Sequence, residues 1–209
     1  AIERLARMAV ITRRPVQALY LMSSPPGAGL KMRIAEFAWV VKNQVRPLGF
    51  QRLGLPCQLM GTGMAFPWAM AQSMALANAS IVEDMKLGID LALTGQAPLF
   101  CPEAVVTSEF PAGEAAAKGQ RMRWEHGHLG MIFQEVPRLL SRALARADAG
   151  TLALALDLVV PPLASLAMLL GAVLVMAGTL TAMGGGYLPL QLAAAATGLF
   201  GSAVLLAWL

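Results

Sequence analysis

Two stretches decide how this chain folds: residues 158–180, LVVPPLASLAMLLGAVLVMAGTL, and residues 187–209, YLPLQLAAAATGLFGSAVLLAWL. Each runs 23 residues without a charge, and about 20 apolar residues in a helix cross a bilayer's hydrocarbon core. Between them, residues 181–186 offer a small, glycine-rich turn. Tyr187 and Trp208 sit near the ends of the second stretch, where interfacial aromatics belong. Pro161 and Pro162 fall in the first turn of the first, where a missing amide donor does least harm. The pair therefore reads as a transmembrane hairpin. The alternative, two buried core helices, would need a larger soluble body to cover them.

The rest of the composition follows this division. Only 13% of the 209 residues are charged, against about 25% in ordinary soluble domains. All 16 basic and 11 of the 12 acidic residues precede residue 150, which gives that part a net charge of +5. A basic, water-facing unit beside a membrane suits anionic headgroups or an anionic substrate such as a nucleotide diphosphate. No dense Lys/Arg run or nucleic-acid motif appears, so nucleic acid is not an expected partner. Cys57 and Cys101 form no CxxC pair and read as free thiols. The chain opens at Ala1 without a basic-then-apolar leader, so no signal peptide is expected.

The first 150 residues alternate between strand and helix signals. Residues 15–22, PVQALYLM, read as a strand, broken by the Ser-Ser-Pro-Pro-Gly loop at 23–27. Residues 30–45 read as a helix. Its apolar face is Ile34, Phe37, Ala38, Val41 and Val45, with Lys42 elsewhere, and Pro47 and Gly49 are expected to end it. Residues 58–66, QLMGTGMAF, read as a strand interrupted by Gly61-Thr62-Gly63. Pro67 starts a helix to about Ala77, and Asn78 or Ser80 caps the next one. That next helix spans 83–94 and closes at Gly95. Residues 97–108 read as extended, and 112–130 as a helix interrupted near Gly119. Over residues 134–147, Arg138, Arg142 and Arg146 share one helical face. The face either meets lipid phosphates, as in an interfacial helix, or is simply solvated.

Two clusters carry candidate chemistry. Glu83-Asp84 opens a predicted helix, where the dipole and free amides keep carboxylates ionised. An ionised carboxylate there either caps the helix or takes a proton from a hydroxyl held close to it. Gln120-Arg121-Met122-Arg123-Trp124 places Gln120 on the same helical side as Arg123 and Trp124. An arginine fork grips phosphate oxygens, and an indole offers a plateau for a sugar ring. The plain alternative is an amphipathic helix with a buried Trp and a solvated Arg. His126 and His128 (HGH) lack a third ligand and read as surface or packing. Asp157, at the mouth of the first apolar stretch, reads as a capping or snorkelling residue.

Together, Gly61-Thr62-Gly63 within QLMGTGMAF, Val82-Glu83-Asp84 followed by MKLGIDLALTG, and QRMRW followed by EHGH resemble the membrane-embedded family 2 glycosyltransferases. That group includes the cellulose, hyaluronan and poly-N-acetylglucosamine synthases. Q-x-x-R-W is the most specific of the three motifs. The resemblance implies an α/β fold: the C-terminal, acceptor-side half of a GT-A-type catalytic domain over 1–132, an interfacial helix over 133–150, and a two-helix hairpin over 151–209. It also implies an inverting, hexosyltransferase-type enzyme at the cytoplasmic face of the inner membrane. The donor would be a nucleotide sugar, and the acceptor a growing polysaccharide or a lipid-linked molecule.

In that scheme Asp84 is the general base and Glu83 supports it. Gln120, Arg123 and Trp124 bind the diphosphate and the acceptor end, and Gly61, Thr62 and Gly63 line the acceptor site. A divalent cation, Mg or Mn, is implied as well. Its D-x-D ligands occur nowhere in this chain, whose aspartates are Asp84, Asp90, Asp148 and Asp157. The chain by itself is therefore expected to be inactive. Val82 stands where a threonine often precedes the acid pair. The competing reading is a membrane-anchored scaffold without chemistry.

Overall fold

The computed structural model describes residues 1–73, 83–111 and 113–208. It divides into two compact units, Ala1–Val159 and Val160–Leu209. Asn78 and Ser80 lie outside the described residues.

The first unit is built on a three-stranded sheet. Strand β1 (Val16–Ser23) is central, between β2 (Met64–Ala65) and β3 (Leu99–Glu109). β1 pairs antiparallel with β2, Val16 opposite Ala65. It pairs parallel with β3, Val16 opposite Leu99. The register slips between Ala18, opposite Cys101, and Leu19, opposite Val105. Pro102 lies in the skipped stretch. It has no N–H to give the ladder, so the strand bulges there. β1 is buried along most of its length, as expected for a strand covered on both faces. One side packs Leu5 and Ala9 of α1 (Ile2–Thr12) against Val16, Ala18 and Cys101. The other joins Leu19, Phe100 and Cys57, with Leu48 and Met60 beside them.

The helix expected over 30–45 forms, but Pro47 and Gly49 do not end it. Helix α2 (Leu30–Val40) passes into a π turn (Val41–Val45) and on into α3 (Arg46–Arg52). Pro47 falls at the start of α3, where a missing amide hydrogen is tolerated. The expected apolar face is not the buried one either. Ile34 and Val45 are 47% and 50% exposed, whereas Asn43 is 1% exposed. The strand expected over 58–66 shrinks to β2. Gly61 and Gly63 have φ of +77° and +69°, a left-handed backbone that no strand accommodates.

Helix α4 (Trp68–Ser73) follows Pro67. Helix α5 (Glu83–Leu93) closes at Gly95, φ +82°, as its sequence predicts. The two helices expected after β3 are one, α6 (Glu114–Arg146), which continues through Gly119 and Pro137. Its C-terminal half packs Met131, Val136 and Leu139 against Met85, Ile89 and Leu93 of α5 and against Ala155 and Leu158 of α7 (Ala149–Val159). Arg138 pairs with Asp90 and Glu135. Arg142 donates to the Leu93 carbonyl at the end of α5, 2.6 Å away, where a helix C-terminus favours a cation. Arg146 is exposed. The two cysteines are free, and both are buried.

The second unit is a pair of apolar helices, α8 (Leu163–Ala182) and α9 (Leu188–Trp208), packed on each other across a short turn. Both are long and apolar enough to cross a membrane. The first begins at Leu163 rather than Leu158. Pro161 and Pro162 have no amide hydrogens, and the residue before a proline is pushed out of the helical region. α7 therefore ends at Val159, and Pro162 becomes the cap of α8. The turn closes on Gly184 (φ +91°) and a bond from the Gly185 amide to the Leu180 carbonyl, 2.9 Å.

Candidate functional site

A solvent-connected pocket of about 250 Å³ opens in the first unit, where β1, the α2–α3 helix, the 57–62 loop, α5, α6 and α7 come together. One wall is a single helical stripe. Trp39, Lys42, Asn43, Arg46 and Phe50 recur every three or four residues and line the pocket, the spacing that puts side chains on one face. Gly61 and Thr62 form the loop side, Asp84 comes from the first turn of α5, and Trp124 from α6.

Four of the residues to which the resemblance gives a role share this pocket, Gly61, Thr62, Asp84 and Trp124, as do His128 and Asp157. The nearest approach is between the first and third. A Cβ built on Gly61 would stand 3.1 Å from Oδ2 of Asp84, so the glycine leaves the carboxylate its room. Asp84 is half-buried. Trp124 packs on Trp39, centroids 5.0 Å apart and planes tilted 43°. Trp39 also meets Tyr20 edge-on at 5.4 Å. Such tilted and edge-to-face contacts suit ring quadrupoles and fix the indoles as part of the wall.

Gly63, Gln120, Arg123 and His126 are not among the lining residues. Gly63 faces the sheet, where a Cβ would come within 2.8 Å of Ala18 Cβ and 3.0 Å of Val106 Cγ2. Gln120 is half-buried on α6 and Arg123 is exposed; neither lines the pocket. Glu83 opens α5, and its side chain lies outside the described residues. Of the histidines, His126 is exposed, whereas His128 is buried at the pocket's edge, its Nε2 3.1 Å from the Leu158 carbonyl.

Asp157 is not a capping or snorkelling residue. It lines the pocket from α7, and its Oδ1 accepts Arg46 Nε at 2.8 Å and an Arg46 terminal nitrogen. Its Oδ2 accepts Gln58 Nε2 at 3.0 Å. This bridge ties α7 to α3 and to the loop. The loop is held from below by Gln17, fully buried in β1. Its Nε2 donates to the Thr62 carbonyl and its Oε1 accepts the Met60 amide, both at 2.8 Å.

Lys42 and Cys57 complete the electrostatics. Lys42 faces the pocket's water but is ringed by protein. That partial desolvation draws its pKa below the ordinary lysine value. Asp84 and Asp157 pull the other way, and Arg46 adds to the lowering. Burial pushes the Cys57 thiol up to about 12, so it stays protonated and is no nucleophile. The sequence offered a signal for Lys42, Asn43 and Arg46, namely polar residues at helical spacing beside Trp39. For Gln17, Gln58 and Asp157 it offered none, because their partners are distant in sequence.

With this geometry in place, comparison assigns the class. The model of glycosyl transferase family group 2 matches residues 32–209. That is well over half of the chain, and the chain belongs to this family. No curated protein and no solved structure matches it. Membership does not favour the scaffold reading. Enzymes of this family generally use a divalent cation. Among the described residues, no group of three or more His, Cys, Asp or Glu side chains comes together to hold one. The pocket's carboxylates do not fit the task, since Asp157 commits both oxygens to Arg46 and Gln58.

Proposed function

We propose that this chain carries the acceptor side of an inverting hexosyltransferase. It would move a sugar from a nucleotide-diphosphate donor to a growing polysaccharide or a lipid-linked acceptor. The observation that supports this best is the close approach of Gly61 to the Asp84 carboxylate on the wall of the pocket, beside the Trp39–Trp124 pair. There a carboxylate at a helix start, a backbone without a side chain and an aromatic surface meet in one water-accessible space.

In this reading the acceptor sugar rests on Trp124 and its hydroxyl approaches Asp84. Asp84 takes the hydroxyl proton. The freed oxygen bonds to the donor's anomeric carbon from the face opposite the leaving group, and the carbon–oxygen bond to the diphosphate breaks. The nucleoside diphosphate leaves with that electron pair, and the anomeric configuration inverts. Positioned proton transfer of this kind contributes about 10²–10⁴-fold. The Lys42 ammonium supplies attraction for the diphosphate within the pocket, and Gln120 and Arg123 of α6, which do not line it, would grip the diphosphate outside it. Glu83 supports Asp84, Gly61 and Thr62 shape the acceptor site, and Gly63, which faces the sheet, serves only to seat their loop. The donor nucleotide and its cation are assigned to chain outside these 209 residues, which contain no D-x-D, so the chain alone is expected to be inactive.

The helices α8 and α9 are proposed to span the inner membrane, with the catalytic part cytoplasmic. The basis is the excess of arginine at 138, 142 and 146 ahead of the hairpin. The test is Asp84→Asn in the full-length enzyme. Transfer should fall by at least about 10²-fold while nucleotide-sugar binding holds. Turnover at the wild-type rate would remove Asp84 from its role.

A further inference from the structure

One buried polar atom in the pocket wall has no hydrogen-bond partner among the described residues. Asn43 is 1% exposed and sits inside the π turn, Val41–Val45. Its Nδ2 donates to the Tyr20 carbonyl at 3.1 Å, and that carbonyl also receives the Trp39 indole N–H at 3.1 Å. A carbonyl oxygen can be faced only by a donor, so the amide is fixed with its NH₂ towards Tyr20 and its Oδ1 directed away. Oδ1 is buried and finds no hydrogen-bond donor among the described residues. Buried acceptors in native proteins are almost always met by protein, water or ligand. Asn43 lines the same pocket as Asp84 and Trp124. That space of about 250 Å³ is far larger than the roughly 30 Å³ share of one water, so it is not shaped around a single trapped molecule. π turns are rare and concentrate at functional sites. This one carries the stripe on which Trp39 and Asn43 lie four residues apart.

We propose that Asn43 determines acceptor specificity: its Oδ1 receives a hydrogen bond from one hydroxyl of the sugar ring that rests at Trp124. The inference builds on the transferase reading above and names the group that reads the sugar. The chemistry selects a neutral hydroxyl. An acceptor oxygen repels anions, and Lys42 on the same stripe repels cations. A ring hydroxyl beside an aromatic face satisfies both constraints.

The test is a binding measurement that needs no donor and no turnover. Cellotetraose, chitotetraose and laminaritetraose are titrated into the full-length protein while tryptophan fluorescence is followed, since Trp39 and Trp124 lie in the pocket. Asn43→Leu should weaken the best-bound sugar about tenfold, the scale of one hydrogen bond and its unmet partner. Its ligand-free melting temperature should stay close to wild type. The variant removes an unmet oxygen along with one bond, and the Tyr20 carbonyl keeps the Trp39 N–H. A merely structural asparagine would show the reverse, a lower melting temperature and unchanged affinity. Singly deoxygenated sugars give the same reading without mutation: one position should cost about tenfold in the wild type and nothing further in Asn43→Leu. Equal affinity of the two proteins, no sensitive hydroxyl, or no binding of any of the three sugars overturns the proposal. Asp84→Asn should still bind the sugar, so failure of the base assignment shows in transfer assays and is separable from failure here.

Discussion

Gly61→Ala makes the sharpest demand on the proposed site, because the structure assigns it two separate costs. The first is conformational. Gly61 has φ +77°, and a residue with a Cβ pays about 1–2 kcal/mol in that region. For a unit of this size that lowers the melting temperature by about 2–4 °C per kcal/mol. The second cost falls on the carboxylate. The new Cβ would stand 3.1 Å from Asp84 Oδ2, closer than the ~3.5–4.0 Å at which such atoms rest, while Cγ at 3.6 Å would be in ordinary contact. Asp84 faces an open pocket, so it can retreat by a few tenths of an ångström. Misplacing a catalytic group by about 1 Å costs on the order of 10²-fold. A shift of a few tenths should therefore slow transfer about threefold to tenfold per folded molecule.

Gly63→Ala, two residues on, is the control. Its φ is +69°, so the conformational cost is alike. Its Cβ, however, would come 2.8 Å from Ala18 Cβ and 3.0 Å from Val106 Cγ2 in the packed sheet. Overpacking adds about 1–3 kcal/mol, giving about 2–5 kcal/mol in all. These contacts lie in the sheet and none involves Asp84, so the molecules that fold should turn over close to the wild-type rate. The assay is product formation by full-length enzyme, normalised to folded protein at a permissive temperature, alongside thermal melts. The reasoning fails if Gly61→Ala keeps the wild-type rate per folded molecule, or if Gly63→Ala is the slower of the two.

Two further expectations concern stability. Asp157→Ala removes the charge partner of the Arg46 guanidinium, whose side chain is only 26% exposed, and leaves it the backbone carbonyl of residue 157. With the usual 3–5 kcal/mol for a broken buried pair reduced for that water access, urea titration should show a loss of about 2 kcal/mol. Asp148 precedes α7 and accepts the Gly150 and Thr151 amides at 2.9 and 3.1 Å and the Thr151 hydroxyl at 2.6 Å. These bonds, the hydroxyl's first, hold its pKa below the ordinary 3.8. A lowered carboxylate pKa stabilises the fold above the ordinary value, and that stability is lost as pH falls through the folded one. Asp148→Ala should therefore cost about 0.5–1 kcal/mol, the low end for an exposed cap, at pH 5–8. The gap from wild type should close below pH 3.8, and a gap that widens in acid would contradict the assignment.

The parts of this molecule that were legible in its sequence are those set by local period. The run Val16–Ser23 is a strand because its apolar and β-forming residues leave no other way to bury both faces. Leu163–Ala182 and Leu188–Trp208 are helices because nothing but a backbone bonded to itself suits so much apolar surface. α5 stops at Gly95 because only glycine takes that φ cheaply. The period rule misjudged which side of the α2–α3 helix is buried. The apolar residues Ile34 and Val45 were expected inside the α2–α3 helix, and the structure turns them outward while Asn43 and Arg46 face in. Pattern reading assumes that burial follows hydrophobicity. On this helix it follows hydrogen bonding instead: Asn43 to Tyr20, Arg46 to Asp157 across 111 residues. Gln17 breaks the apolar pattern of β1 in the same way and supports the Gly61 loop. A fold that buries Gln, Asn, Arg and Asp around one cavity takes on desolvation costs that an apolar core would avoid. Local rules broken together at one cavity mark a functional site more strongly than any single motif does. That convergence, independent of the Q-x-x-R-W signature, is the physical argument behind the proposal that Asp84 is the base.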